Sequence, residues 1–80
     1  MASRANLGEK QRFLSLLRQM RLSAGLRQGD LAKRLGEPQS FVSRYECGER
    51  RLDILELRQI CKILGVSLVD FAKRLDGESK

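Results

Sequence analysis

The chain has 80 residues, 41% of them apolar and 32% charged, which is typical of one small globular domain. The absence of histidine and the wide spacing of Cys47 and Cys61 argue against a metal site, a disulfide scaffold or the usual catalytic groupings. We therefore expect no enzymatic activity and no cofactor. The net charge of +6 lies wholly in residues 1–51, which contain 11 Lys and Arg against 5 Asp and Glu. This excess indicates a polyanionic partner, usually nucleic acid and less often an anionic membrane, although a solvated basic surface has the same composition.

Neither a membrane span nor a signal peptide is expected. No apolar run approaches the roughly 20 residues that cross a bilayer, and residues 1–10 lack the apolar stretch of a signal peptide. We expect a cytoplasmic protein with a single domain over residues 1–80. Its folded core should cover residues 9–75, with residues 1–8 and 76–80 flexible.

The first predicted helix covers residues 9–24. Apolar side chains recur at helical spacing along it, and Gly25 follows as a helix-ending glycine. Leu14 and Leu16 widen the apolar stripe, which could pack against the last helix or against another subunit. The stripe itself consists of Phe13, Leu17, Met20 and Ala24.

Two short helices are predicted next, at Gln28–Leu35 and Gln39–Glu46. The first carries Leu31, Ala32 and Leu35 on one face and ends at Gly36. Pro38 suits the start of the second, because a fixed φ and a missing N–H cost nothing in a first turn. So short a glycine-containing connection between two helices is typical of a helix-turn-helix.

Two further helices complete an all-α chain. The fourth predicted helix covers residues 54–64, with Asp53 and Glu56 as a capping-box pair at its start and Gly65 after its end. The fifth covers residues 68–75, with Ser67 as its N-cap. The predicted buried residues of these two helices are Ile54, Leu57, Ile60, Cys61 and Leu64, and then Leu68, Phe71, Ala72 and Leu75.

The third helix presents polar side chains opposite its apolar side. At about 100° per residue, Phe41, Val42 and Tyr45 share one arc. The opposite arc carries Gln39, Ser40, Ser43 and Arg44. Gln can pair with adenine, Arg with guanine and Ser with several base edges, so this arc suits a DNA major groove. The same residue types also occur on an ordinary solvated helix face.

Residues 25–68, "GLRQGDLAKRLGEPQSFVSRYECGERRLDILELRQICKILGVSL", resemble the Xre or Cro-type helix-turn-helix regulators, the group that includes the lambdoid phage repressors. The shared order is a Gly-Leu before a helix that opens with Gln, "LA" within it, "LG" at the turn, "QSFVSRYE", a basic loop and "LGVSL". The resemblance implies a compact five-helix lambda-repressor-like domain from a bacterium or phage.

The resemblance also implies roles for individual residues. Gln39, Ser40 and Arg44, with Ser43 between them, would read bases. Gln28 would contact a phosphate and support Gln39. Arg21 and Glu46 would form a structural ion pair. Phe41 would pack on the sugar-phosphate or a thymine methyl, or else in the core. The expected contacts to the DNA backbone are Gln28, Arg27, Phe41, Arg50, Arg51, Lys33 and Arg34.

These assignments predict a sequence-specific regulator that binds double-stranded DNA, as a homodimer on a pseudo-palindromic operator. The dimer surface would come from the fifth helix, where Val69 lies off the main stripe, or from the wide stripe of the first. No small-molecule ligand is evident. The alternative is a helix-turn-helix module whose function is to bind a protein, such as a toxin or a polymerase, with DNA contact secondary.

Overall fold

A computed structural model describes the backbone of residues 4–77 and the side chains of residues 8–77. It contains five helices, namely α1 (Arg4–Ser23), α2 (Gln28–Leu35), α3 (Gln39–Glu46), α4 (Ile54–Leu64) and α5 (Leu68–Leu75). No strand occurs in that part of the chain, so the prediction of an all-α domain with five helices is confirmed. None of the helices within residues 4–77 has the length and apolar character needed to cross a membrane.

Side-chain caps define the starts of the last two helices. The Asp53 carboxylate accepts a hydrogen bond from the Glu56 N–H at 2.8 Å, and the Glu56 carboxylate accepts one from the Asp53 N–H at 3.0 Å. The Ser67 hydroxyl accepts from the Asp70 N–H at 3.0 Å. These bonds satisfy first-turn N–H groups that have no partner within the helix. The predicted starts of α4 and α5 are thus present in the structure.

The turn between α2 and α3 occupies only residues 36–38. Gly36 adopts a φ of +73°, and this left-handed conformation lets the Glu37 N–H donate to the Ala32 carbonyl at 2.9 Å. Pro38 follows with an extended backbone and is the N-cap of α3. It therefore stands one position before the helical residues and contributes no side-chain cap, so α3 begins without one.

The core lies where α3 and α4 meet α1, α2 and α5. Leu17 and Met20 contribute to it from α1, and Phe13 meets Phe71 edge-to-face with ring centroids 5.8 Å apart. Burying side chains of this size stabilises the fold by about 1.5–3 kcal/mol each. The other buried apolar residues are Leu31, Ala32, Val42, Tyr45, Leu57, Ile60 and Cys61.

The structure differs from the sequence prediction at both ends of α1 and in the exposure of Ile54 and Ala72. α1 begins at Arg4 rather than at residue 9 and ends at Ser23, so Ala24 lies in the turn and is exposed. Ile54 is 61% exposed, because side chains tilt toward the helix N-terminus and a first helical residue reaches past the core. Ala72 is also exposed, at the edge of the α5 stripe that buries Phe71.

The loop after α3 is held against α1 by a close approach at Gly48. This residue has a φ of +90°, and the Glu49 N–H donates to the Arg44 carbonyl at 2.9 Å to close the helix end. A β-carbon at Gly48 would lie 3.2 Å from Leu14 Cδ1 and 3.3 Å from Lys10 Cε. The Lys10 ammonium donates to the Gly48 carbonyl at 3.2 Å. Only glycine therefore fits both the turn and the contact.

We predict that Gly48→Ala lowers the free energy of unfolding more than Gly36→Ala. Both place a side chain in the left-handed region, which costs about 1–2 kcal/mol. A β-carbon at Gly36 would have no neighbouring atom within 4 Å, so the Gly36 variant has only the backbone strain. The Gly48 variant has the same strain and must also displace the side chains of Leu14 and Lys10. Urea denaturation of the two variants measures the difference, and equal losses would contradict the close approach.

Candidate nucleic-acid interface

Helix α3 turns its apolar side inward and its polar side to solvent. Val42 and Tyr45 are fully buried in the core. On the opposite side Gln39, Ser40 and Arg44 are exposed. Ser43 lies between them, half-buried, and its hydroxyl donates to the Ser40 carbonyl at 3.3 Å. The structure thus places the four residues expected to read bases on one side of α3, three of them exposed.

Phe41 occupies the border between these two sides. It is half-buried, packs against the core, and meets Tyr45 edge-to-face with ring centroids 5.7 Å apart. The Arg50 guanidinium lies over its ring, 4.5 Å from the centroid. Of the two roles considered for Phe41, packing within the protein is the one visible in the structure.

A groove of about 400 Å³ separates the first turns of α2 and α3. Its floor is Gly29, and the Gln39 side-chain oxygen lies 3.6 Å from where a Gly29 β-carbon would be. Gln39 therefore rests beside the start of α2. Sequence reasoning did not single out Gly29, because a glycine within a helix has no spacing rule that links it to a side chain of the next helix. The groove is lined by Arg27, Gln28, Gly29, Asp30 and Gln39.

A buried ion pair joins α1 to the end of α3. Arg21 Nε donates to Glu46 Oε2 at 2.7 Å and Arg21 Nη2 donates to Glu46 Oε1 at 3.0 Å, a bidentate arrangement. Their side chains are only 7% and 6% exposed. Arg21 Nη1 also donates to the Leu26 carbonyl at 2.9 Å, which attaches the α1–α2 turn. The hydrogen bond to Glu46 raises the pKa of Arg21.

The Gln28 side chain also takes part in this network. Its side-chain Nε2 donates to Glu46 Oε1 at 3.0 Å, so Glu46 connects α1, α2 and α3. The bond to Glu46 is favoured because a carboxylate is a stronger acceptor than a neutral amide oxygen. Gln28 also lines the groove together with Gln39, and its support of Gln39, implied by the resemblance, stays a prediction.

The basic residues expected to contact phosphates differ in their ion-pair partners within the protein. Arg27 is exposed at the N-cap of α2 and pairs with Asp30 at 3.3 Å, and the Asp30 carboxylate accepts the Arg27 N–H at 2.9 Å. The backbone hydrogen bond from Arg27, followed by the side-chain one, lowers the pKa of Asp30. Lys33, Arg34 and Arg51 are exposed and form no ion pair among residues 8–77.

Arg50 is bound within the protein. Its Nη2 donates to Glu56 Oε2 at 2.8 Å and its Nη1 to Glu56 Oε1 at 3.1 Å, and Nη1 also donates to the Arg51 carbonyl at 2.8 Å. The hydrogen bond from Arg50, followed by that from the Asp53 N–H, lowers the pKa of Glu56 below its ordinary value of 4.5. The sequence identified Glu56 only as a capping residue. Its second partner lies across a loop and carries no sequence signal.

Comparisons with known proteins agree with this arrangement. A family model described as helix-turn-helix matches residues 17–71, which span α2, the turn, α3 and α4 together with parts of α1 and α5. The chain belongs to the Xre-type helix-turn-helix family. Membership of this family confirms the lambda-repressor-like fold. The family consists of DNA-binding regulators, so membership also confirms that general class of function.

One solved structure is similar to this Xre-type chain over nearly its whole length. It is an XRE-family like protein from Pseudomonas syringae pv. tomato str. DC3000, with 38% sequence identity and a TM-score of 0.85. The match covers 95% of this chain and 93% of that one. No curated protein gave a significant match.

We predict that Arg21→Met strongly destabilises this Xre-type domain. Removing Arg21 leaves the Glu46 carboxylate buried with only Gln28 as partner, and stranding such a charge costs about 3–5 kcal/mol. Arg44→Ala is the control, because an exposed side chain with no ion pair should change stability by less than about 0.5 kcal/mol. Thermal unfolding of both variants is the measurement. Equal shifts in melting temperature would contradict the assignment of Arg21 to structure.

We also predict that acid destabilises the native chain partly through Glu56. Its folded pKa is lowered, so its stabilising contribution is present above its ordinary value of 4.5 and is lost as the pH falls through the folded value. Glu56→Gln can keep the capping bond but cannot titrate. Urea denaturation from about pH 7 to about pH 3 should therefore show a smaller loss for the variant than for the native chain. Parallel pH profiles would contradict the assignment.

Proposed function

We propose that this chain is a sequence-specific transcriptional regulator that binds double-stranded DNA as a homodimer on a pseudo-palindromic operator. The observation that carries the proposal is the orientation of α3, which packs Val42 and Tyr45 inside while Gln39, Ser40 and Arg44 stay open. A short helix with one exposed polar side can enter a major groove, which is wide enough to admit it.

Each outward side chain has a base-edge chemistry. Gln39, at the first helical position of α3, can pair bidentately with adenine. Arg44 is exposed and forms no ion pair among residues 8–77, so its guanidinium is available to guanine O6 and N7. Ser40 and Ser43 are small, which lets the helix axis approach the base pairs. Sequence preference would therefore come mainly from Gln39 and Arg44.

Phosphate contacts would come from residues around this helix. Lys33, Arg34 and Arg51 are exposed without ion-pair partners in the described part of the chain. Arg27 and Gln28 lie at the start of α2, where first-turn N–H groups favour an anion. Such contacts set the register on the duplex and supply the salt-dependent part of affinity.

Two copies would act together, because one small domain buries too little interface for tight specific binding. In α1, Leu14 and Leu16 are already half-buried within the chain, which argues against that helix as the dimer surface. Leu55 in α4 and Val69 in α5 are 70% and 67% exposed, so these helices offer apolar side chains to a partner. Of the two expected dimer surfaces, the fifth helix is therefore the one we propose.

Selection of duplexes from a random library tests this proposal. We expect enriched sites to contain two inverted half-sites with centres about 10 bp apart, or a multiple of that distance. Arg44→Ala should relax the preference at one base pair in each half-site, where a bidentate pair is worth about 1–3 kcal/mol of discrimination. Arg18→Ala is the matched control, because Arg18 is an exposed arginine of α1 that we assign no role.

Salt titration of the selected site supplies a second measurement. With about 6–10 phosphates contacted by the dimer, affinity should fall about 10³–10⁵-fold between about 50 and about 200 mM salt. No enrichment of any duplex, together with a flat salt response, would contradict the proposal and favour the protein-binding alternative. Equal effects of Arg44→Ala and Arg18→Ala would remove Arg44 from the set of base readers.

A further inference from the structure

Two consecutive arginines follow the proposed recognition helix, and their side chains differ in exposure and in their contacts. Arg51 is exposed and forms no ion pair among residues 8–77, whereas Arg50 is tied to Glu56, to the Arg51 carbonyl and to the Phe41 ring. We propose that Glu56 withholds Arg50 from DNA, so that Arg51 contacts the phosphate backbone while Arg50 positions the loop. This inference rests on the proposed function and differs from the expectation that both arginines contact the DNA backbone.

Two contacts of Arg50 use donors that a phosphate would otherwise take. Nη1 and Nη2 both donate to the Glu56 carboxylate, at 3.1 and 2.8 Å, which is the two-point geometry by which an arginine binds a phosphate. Nη1 also donates to the Arg51 carbonyl, and the guanidinium lies 4.5 Å from the Phe41 centroid. A phosphate could approach only the other edge, formed by Nε and the second N–H of Nη2, and there it would meet a guanidinium whose charge Glu56 already offsets. A phosphate contact through Nη1 and Nη2 together would require Arg50 to leave Glu56.

Glu56 is itself held in place, so it cannot follow Arg50 toward the DNA. Its Oε1 accepts the Asp53 N–H at 3.0 Å as part of the capping box of α4. Moving Glu56 would break that bond and leave the Asp53 N–H without its partner. The ion pair is thus anchored to a helix end, unlike an ordinary surface pair between two mobile side chains, which contributes little.

The location of Arg50 gives it a positioning role. Phe41 directly follows the proposed base reader Ser40 in α3, and Glu56 lies in the first turn of α4. Arg50 therefore joins the recognition helix to the start of the next helix across residues 47–53. Its bond to the Arg51 carbonyl also holds the backbone of the residue that we assign to phosphate. A loop held in this way presents Arg51 with less conformational entropy to lose on binding.

Salt dependence separates a phosphate contact from a positioning role, because each neutralised phosphate changes the slope of log K against log salt by about 0.9. The slope is measured on one selected duplex for the native chain and four variants. We expect Arg51→Gln to reduce the slope by about 0.9 per protomer. We expect Arg50→Gln to lower affinity and melting temperature without changing the slope.

Glu56→Gln is the decisive variant. Glutamine can retain the capping bond to the Asp53 N–H but loses the charge that holds Arg50. Arg50 then becomes available to a second phosphate, so the slope should rise by about 0.9 per protomer. In the double variant Arg50→Gln/Glu56→Gln the slope should return to the native value. If Arg50 and Glu56 acted on stability alone, their variants would differ from the native chain in melting temperature but would all keep its slope of log K against log salt.

The Arg50 side-chain N–H resonances provide a readout without a functional assay. On titration with the duplex they should stay near their shifts in the unbound native chain, and in Glu56→Gln they should move. A smaller slope for Arg50→Gln than for the native chain, or an unchanged slope for Glu56→Gln, would overturn the inference while leaving the proposed function intact. A flat salt response of the native chain would overturn both.

Discussion

The buried carboxylate of Glu46 determines where the proposed DNA-binding residues lie. It accepts hydrogen bonds from Arg21 of α1 and Gln28 of α2 while belonging to α3 itself. A charge that is only 6% exposed is tolerated only when its partners are in place, so the three helices have one mutual arrangement that satisfies it. The ion pair therefore specifies geometry more than it adds stability. The start of α2 and the end of α3 are held together as a result.

Cationic residues near α3 divide into those held by the protein and those left open. Arg21 is bound to Glu46 and Arg50 to Glu56; the first pair joins α1 to α3, and the second joins the loop after α3 to α4. Arg44 and Arg51 are exposed and have no ion pair within residues 8–77. Net charge alone does not distinguish the two kinds. Each carboxylate offsets the charge of its arginine, so the net charge overstates how many arginines near α3 are without an ion pair in the described part of the chain.

Much of the fold follows from local signals that act within one or two turns of helix. The bounds of α2 and α3, the capping box at Asp53 and the cap at Ser67 were all predictable, because each depends on residues three or four positions apart. The early start of α1 at Arg4 was missed, since the segment before residue 9 lacks an apolar stripe. Exposure of Ile54 and Ala72 was also missed, because a helical angle gives the side of a helix but not how far its neighbours extend.

For the candidate site, the sequence by itself determined the residue types on each side of α3, since the 3.6-residue period separates Val42 and Tyr45 from Gln39 and Arg44. It also indicated the family, through an ordered set of short motifs. Only the tertiary structure decided the partners of the charged and polar groups. Gln28 donates to Glu46, and Arg50 pairs with Glu56. Both contacts depend on how the helices and the loop after α3 pack against one another, because the partners lie in different elements and no helical period relates them.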